Sequence, residues 1–458
     1  MTAVLDSTSR DVARPRLDAR KLVPQVPAVV GADVTVPLVT GGRVPYANLD
    51  HAASAPALTA VRDVVEEFLP YYASVHRGAG YGSMVSTKAY ERSREVVREF
   101  VGARADDAVL FTRNTTDSLN LLAHCLPAGT NVVAFESEHH ADLLPWRRHP
   151  LTQLIAPTSP ADAVAKVGLA LSTLSGPTLV CVTGASNVTG ELWPVRQIAR
   201  VAHSYGARVL LDAAQLLPHR DVDVQALDVD YLAFSGHKLY APYGAGALVG
   251  RQDWLAAAEP YLAGGGASKL VEAGGVQWQG LPERQEAGSP NVVGAVALAA
   301  ACRTLRDAGR QRLAEHEDAL TRRLCAGLAG VPGVTVLSLF DAGQPRVGTV
   351  AFTVAGHEPG LIAAALSAEY GIGVRDGLFC AHLLTKKLLR RAAGAGEGQG
   401  NALRSSLGLA TTAEHVDRLV AALHELTTHG PRWSYIIRDG KWAPEDDPRA
   451  LPDVLDRL

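Results

Sequence analysis

The sequence predicts an α/β protein whose mainly parallel sheet is covered by helices on both faces, followed by a smaller α+β domain. Three observations lead there. Short apolar runs alternate with helical patterns through the first two thirds of the chain, the pattern changes after about Ala300, and 458 residues at 47% hydrophobic suffice for two or three domains. Val109 to Thr112 reads as a strand, Thr115 to Cys125 as an amphipathic helix, and Val132 to Phe135 as the next strand. Thr178 to Thr183 leads through a polar loop to a helix from Val195 to Tyr205, then to the run Ala207 to Leu211 that ends at Asp212, and Val229 to Phe234 is a further strand. Such alternation implies βαβ units and a parallel sheet. Beyond Ala300 one long helix containing Leu305 and Leu313 is expected, then strands Val334 to Leu337 and Gly348 to Val354, a helix from Pro359 to Tyr370, and strands Ile372 to Arg375 and Leu403 to Leu409. Thr411 and Glu414 suggest a capping box for a last helix through Leu426.

Composition fits a soluble, cytoplasmic enzyme. The formal charge of −3 gives no electrostatic footprint for nucleic acid, and no apolar run is long enough to span a bilayer. Arg10, Arg14, Arg16 and Arg20 are interleaved with Asp6, Asp11 and Asp18 and no apolar segment follows, so a flexible arm is expected rather than a targeting peptide. Five cysteines (Cys125, Cys181, Cys302, Cys325, Cys380) lack metal-ligand spacing, which fits a reducing compartment. The resulting division is an arm over 1–45, a large domain over 46–300, a small domain over 301–430 to which the N-terminal segment contributes, and an aromatic-rich extension over 431–458. Within the small domain, Ala392 to Asn401 is glycine-rich and expected to be a mobile surface loop.

The chemistry concentrates at strand ends. Ser235-Gly236-His237-Lys238 places a lysine after one apolar run, and Asp212 ends another. This pair suits pyridoxal phosphate, because the amine can bind the aldehyde while the carboxylate pairs with the pyridine nitrogen. Alone, each residue reads better as a surface lysine or a helix-capping aspartate; the joint placement favours the cofactor. Thr115 and Thr116 open a helix after a strand, where amides and hydroxyls can meet a phosphate dianion.

These residues carry a resemblance. Ser235 to Tyr240 with Asp212-Ala213-Ala214-Gln215 resembles the class V aminotransferase group of fold-type I pyridoxal phosphate enzymes, and within it the cysteine desulfurase and selenocysteine lyase family. Ordered matches extend it from about Tyr46 to about Glu425: Leu49 to Ser54, Val75-His76-Arg77-Gly78, Thr112 to Thr116, Glu138-His139-His140-Ala141, Ser186 to Gly190, Glu286 to Asn291, and Val374-Arg375 leading to Cys380. The resemblance implies a large domain with a seven-stranded type of sheet and a homodimer. It implies that Thr115, Thr116, Ser235 and His237 hold the phosphate, with Ser289 reaching it from a second subunit. It assigns His139 to the pyridine face and to proton transfer, Asn187 and Gln215 to the phenolic oxygen, and Ala52, His76 and Arg404 to the amino-acid substrate.

Cys380 matches the cysteine that attacks the substrate sulfur and leaves as a persulfide, and Arg404 matches the arginine that clamps an α-carboxylate bidentately. The chain departs from the family beside that cysteine. Leu378-Phe379 stands where two histidines are usual, and Ala410-Thr411 where a Tyr-Asn pair is common. These changes remove polar groups near the substrate. Three readings follow: a cysteine desulfurase passing sulfur to an acceptor protein or small thiol; another pyridoxal phosphate reaction, such as carbon–sulfur β-elimination, racemisation or transamination; or a catalytically silent scaffold, against which the retained lysine, aspartate, histidine and arginine argue.

Overall fold

The computed structural model describes residues 26–76, 78–340, 343–393 and 400–457. Residues 1–25 of the expected arm, Arg77 of the Val75 to Gly78 motif, and 394–399 of the glycine-rich stretch lie outside the described residues.

Seven strands form the large sheet: β1 (Asp107–Thr112), β2 (Asn131–Phe135), β3 (Leu151–Leu154), β4 (Thr178–Thr183), β5 (Arg208–Asp212), β6 (Tyr231–Ser235) and β7 (Gly246–Arg251), in spatial order β1-β7-β6-β5-β4-β2-β3. Pairings from β6 to β3 are parallel. The strand β7, absent from the expectations above, runs antiparallel to both β6 and β1. Its connection from β6 is a short turn through Lys238, too short for the crossover that a parallel neighbour requires. Leu179, Val180, Cys181 and Val182 of β4 are all fully buried, as expected for a strand covered on both faces.

Helix Val292–Asp307 packs against Tyr81–Phe100 and Thr59–Phe68 beneath the large sheet. The single long helix expected beyond Ala300 is two helices. The second spans Arg310–Ala329, and the break falls at Gly309, whose φ of +83° lies outside the helical region and favours glycine. A four-stranded antiparallel sheet follows, formed by β8 (Val334–Val336), β9 (Thr349–Val354), β10 (Arg375–Gly377) and β11 (Ala402–Ser406) in the order β8-β9-β11-β10. The expected strand Ile372 to Arg375 is divided between two sheets: Ile372–Gly373 pairs in parallel with Ala47–Asn48, while Arg375 begins β10. The capping box of helix Ala413–His429 falls one residue later than expected, on Thr412 and His415. Thr411 is already engaged, since its hydroxyl accepts the Gly408 N–H at 2.9 Å.

The described N-terminal stretch and the hairpin after the last long helix are both tied to the body of the molecule. Val30 N–H donates to Ala57 O at 2.8 Å, and the hairpin Thr35–Pro37 with Arg43–Pro45 reaches the small domain through Val39 N–H to Ala368 O at 2.9 Å. The described part of the expected arm is therefore held by backbone bonds and by the buried Val29 and Val39. The aromatic extension forms a second hairpin, Tyr435–Arg438 with Lys441–Pro444, against helix Pro359–Tyr370. The buried Glu369 anchors it by accepting the Arg432 and Trp433 amides and the Tyr435 hydroxyl.

Candidate active site

Parallel strands direct their carboxyl ends to one edge of the sheet, where ligands of open α/β folds bind. A cavity of ≈ 240 Å³ opens there, lined by Ala52, Thr115, Thr116, His139, Asn187, Asp212, Gln215, Ser235, His237, Lys238, Cys380 and Arg404 among others. Twelve residues singled out in the sequence thus converge, although they come from segments hundreds of positions apart. His76 and Ser289 do not join them; both line a separate recess of ≈ 630 Å³.

Asp212 ends β5, in register with Thr183 of β4 and Ala233 of β6, and Lys238 follows β6 three residues past its end. The turn between them has no room for a side chain at Gly236, where a Cβ would lie 2.7 Å from Ala245 O. Lys238 is partly open to the cavity yet crowded by protein atoms. Burial pulls its ammonium pKa down to about 8; Asp212 opposes the shift and Arg404 adds to it. Burial raises the Asp212 carboxyl, against the pull of the Ala214 N–H at 2.8 Å and of Lys238. The His139 imidazole is held neutral, at about 3, by burial and by the charge on Lys238.

Helix Thr115–Cys125 points its N-terminus at the cavity. Asn114 caps it by accepting the Asp117 N–H, and Ser235 Oγ accepts the Thr115 N–H at 2.8 Å and contacts the Thr115 hydroxyl at 2.7 Å. Thr116 lies beside them on the cavity wall, where a first-turn amide has no intrahelical acceptor. Gly246 lets β7 run close under this turn, since a Cβ there would meet Asn114 Cα at 2.8 Å. His237 donates nothing to that helix; its ring contacts Ser54 Oγ at 3.3 Å.

Arg404 is almost fully buried. One Nη donates to Asn187 O at 2.9 Å, the other to Asp50 at 3.1 Å, and its guanidinium lies 5.0 Å from the Phe379 ring centroid. Its Nε has no protein partner. A buried orphan donor beside the cavity suits a carboxylate. The two amides assigned to a phenolic oxygen are held by the backbone: Asn187 Nδ2 donates to Phe379 O and Gln215 Nε2 to Ala52 O, both at 2.7 Å. Each keeps its other polar atom free of these bonds. Cys380 is exposed at the rim, and both it and Phe379 adopt a φ of +53°, a strained conformation for side-chain-bearing residues.

Sequence reasoning missed several groups. Glu138 and Asp142 are buried behind Asp212, and burial together with the neighbouring carboxylates pushes both well up. Neither Glu138 carboxyl oxygen has a well-formed hydrogen bond, and only the nearby Thr183 backbone N–H opposes the upward shift. The motif Glu138 to Ala141 was the available signal, but nothing in it shows that three acids meet in space. Asp50 and Arg375 were likewise inside matching motifs without a role, and they pair at 3.5 Å beside Arg404.

The set fits pyridoxal phosphate: an amine of depressed pKa, a buried carboxylate, a helix N-terminus and a neutral imidazole share one cavity. The family model for class V aminotransferases matches residues 47–419. The chain belongs to that family. It is 37% identical to a cysteine desulfurase of Dickeya dadantii over 83% of this chain and 92% of that one. A probable cysteine desulfurase of Mycolicibacterium paratuberculosis is 34% identical over 88% of this chain and 58% of its own length. Among solved structures, a cysteine desulfurase from Thermococcus onnurineus superimposes with a TM-score of 0.75 at 32% identity, covering 83% of this chain and 94% of that one. An Escherichia coli cysteine desulfurase in its S-sulfonic acid form gives 0.71 at 32% identity, over 82% and 94%. The mainly parallel seven-stranded sheet is the class V fold expected from the sequence.

Proposed function

We propose that this class V protein is a pyridoxal phosphate-dependent cysteine desulfurase that takes sulfur from L-cysteine, releases alanine and carries the sulfur as a persulfide on Cys380. The observation that carries the reading is the placement of an exposed thiol, Cys380, at the rim of the cavity that holds Lys238, Asp212 and Arg404. Lys238 would hold the cofactor aldehyde, Asp212 the ring nitrogen, His139 the ring face, and Thr115, Thr116, Ser235 and His237 the phosphate. When bound, the cofactor supplies an electron sink for the substrate Cα. Asp212 keeps a proton at the ring nitrogen, and Lys238, with its depressed pKa, moves a proton at Cα. Arg404 orients the α-carboxylate, and Ala52 borders the substrate. Cys380 then attacks as the thiolate: its sulfur bonds the substrate sulfur, the substrate carbon–sulfur bond breaks, and the carbon fragment keeps the bonding pair and is protonated to alanine.

His76 and Ser289 share a recess away from this cavity, which favours their delivery to a second copy across a two-fold axis. The reading includes a homodimer in the cytoplasm, an amino-acid substrate and a sulfur acceptor. Among the described residues no helix is long and apolar enough to cross a membrane. One observation favours a second reading. Phe379 brings a buried apolar ring to the cavity beside Cys380, an environment suited to β-elimination, which yields pyruvate, ammonia and a thiol without a cysteine nucleophile. Product analysis of purified protein with L-cysteine separates the two. Alanine together with a persulfide, both lost in Cys380→Ala while cofactor binding persists, is the expected result; pyruvate with undiminished turnover in that variant establishes elimination.

A further inference from the structure

The desulfurase reading leaves open where the sulfur goes, and the surroundings of Cys380 speak to that point. Cys380 borders two hollows. The inner one is the cavity shared with Lys238 and Arg404; the outer is a recess of ≈ 430 Å³ that contains Cys380 and His140 and runs past Leu144 to Arg148. Its size is that of a small-molecule site. Leu144 is 51% exposed there, the exposed Arg148 contributes to the lining, and among the described residues no acidic side chain does.

His140 is built into the Cys380 loop. Its backbone N–H donates to Cys380 O at 2.8 Å, and the His382 N–H approaches His140 Nε2 at 3.4 Å, while the two rings meet edge to face with centroids 4.4 Å apart. The approach of that N–H marks Nε2 as the unprotonated nitrogen, and its length leaves the lone pair open to a better donor. Burial and the charge of His382 lower the His140 pKa, so the imidazole is a free base near neutral pH.

We propose that the outer recess is the acceptor site for a small anionic thiol, with Arg148 taking its carboxylate and His140 taking the thiol proton. The inference rests on the desulfurase reading. In the transfer the acceptor sulfur bonds the outer sulfur of the Cys380 persulfide, and the bond from that sulfur to Cys380 Sγ breaks. Cys380 leaves with the bonding pair as a thiolate, and the proton taken by His140 returns to it. The acceptor departs as its own persulfide, so no external oxidant or reductant enters.

The test separates the two half-reactions in the full-length holoenzyme. Alanine formed in the first turnover from L-cysteine without added thiol reports the desulfurase step. Steady-state turnover with 3-mercaptopropionate or with neutral 2-mercaptoethanol reports transfer. Arg148→Ala should raise KM for 3-mercaptopropionate about tenfold without altering that for 2-mercaptoethanol, since one well-placed ion pair is worth about a factor of ten. His140→Asn should slow turnover with both thiols by ~10²-fold, the usual loss of a general base, while the alanine burst persists; His382→Gln should shift the pH profile of the transfer step. A normal burst with thiol-driven turnover unchanged in His140→Asn and Arg148→Ala overturns the inference alone. No burst in the unaltered protein overturns the desulfurase reading, and the inference with it.

Discussion

Lys238 shows how a residue's chemistry is decided by its surroundings. A lysine near its ordinary pKa is almost entirely protonated at neutral pH, whereas an amine brought down to about 8 by burial and by Arg404 offers a substantial free fraction. Only the unprotonated amine attacks an aldehyde. The rate at which cofactor-free protein takes up pyridoxal phosphate, followed by its absorbance, should therefore rise with pH, half-complete at about 8 and levelling roughly a unit above it; a rise whose midpoint lies at about 10 would show an unperturbed lysine. Arg404 makes a complementary case. Its two Nη groups are committed to Asn187 and Asp50, and its plane lies on Phe379, so the fork is fixed before a substrate arrives. Arg404→Lys loses that fork and should lower kcat/KM for the amino acid by roughly 10²-fold, at ~1.4 kcal/mol per tenfold, with little change in bound cofactor.

Among the elements, the strand ends and the loops that bridge the two domains do most of the positioning. Ser186 to Gly190 follows β4 and carries Asn187, and Gly190 O accepts the Val347 N–H at 2.8 Å, joining the large domain to the approach of β9. Gly190 has a φ of +73°, and a Cβ there would sit 2.3 Å from Thr349 O. The close approach of two backbones leaves no flexible atom to yield. Gly190→Ala should therefore cost about 2–4 kcal/mol, from strain plus displacement, read as a lower midpoint of urea unfolding. The Leu378 to Cys380 loop is the counterpart from the small domain. Its two left-handed residues turn Cys380 outward while the Phe379 carbonyl receives Asn187 Nδ2, so the thiol and the cofactor wall are joined through one hydrogen bond.

At the scale of the molecule, the recess lined by His76 and Ser289 has its own scaffold. The Glu286 carboxylate, its side chain 7% exposed, accepts from Arg94, from the Tyr90 hydroxyl at 2.8 Å and from Phe111 N–H at 2.6 Å, which holds the loop carrying Ser289 against helix Tyr81–Phe100. If this edge completes the site of a second copy, the smallest active unit is a dimer with an isologous interface. Light scattering at assay concentration should give about twice the chain mass; a fully active monomer would count against the partner role of Ser289.

Strand-forming apolar runs, the punctuation between them and the residues at their ends were legible in the sequence, because a strand buried on both faces must be apolar throughout and must stop where the chain turns polar. That is why β4, β5 and β6 were placed, and Asp212 and Lys238 with them. Other features depended on long-range contact. The strand β7 follows a turn too short to mark as a crossover, the helix after Ala300 breaks at a single glycine, and Thr411 is denied a capping role by a bond to Gly408. Glu138 and Asp142 follow β2 while Asp212, up to 74 positions away (212 − 138), ends β5, and the repulsion between them exists only once the sheet has brought those two strand ends together across β4. Sequence alone determined which groups are present and which element each one ends; the tertiary structure decided their desolvation and neighbours, since burial and charge proximity are properties of packed space and not of chain order.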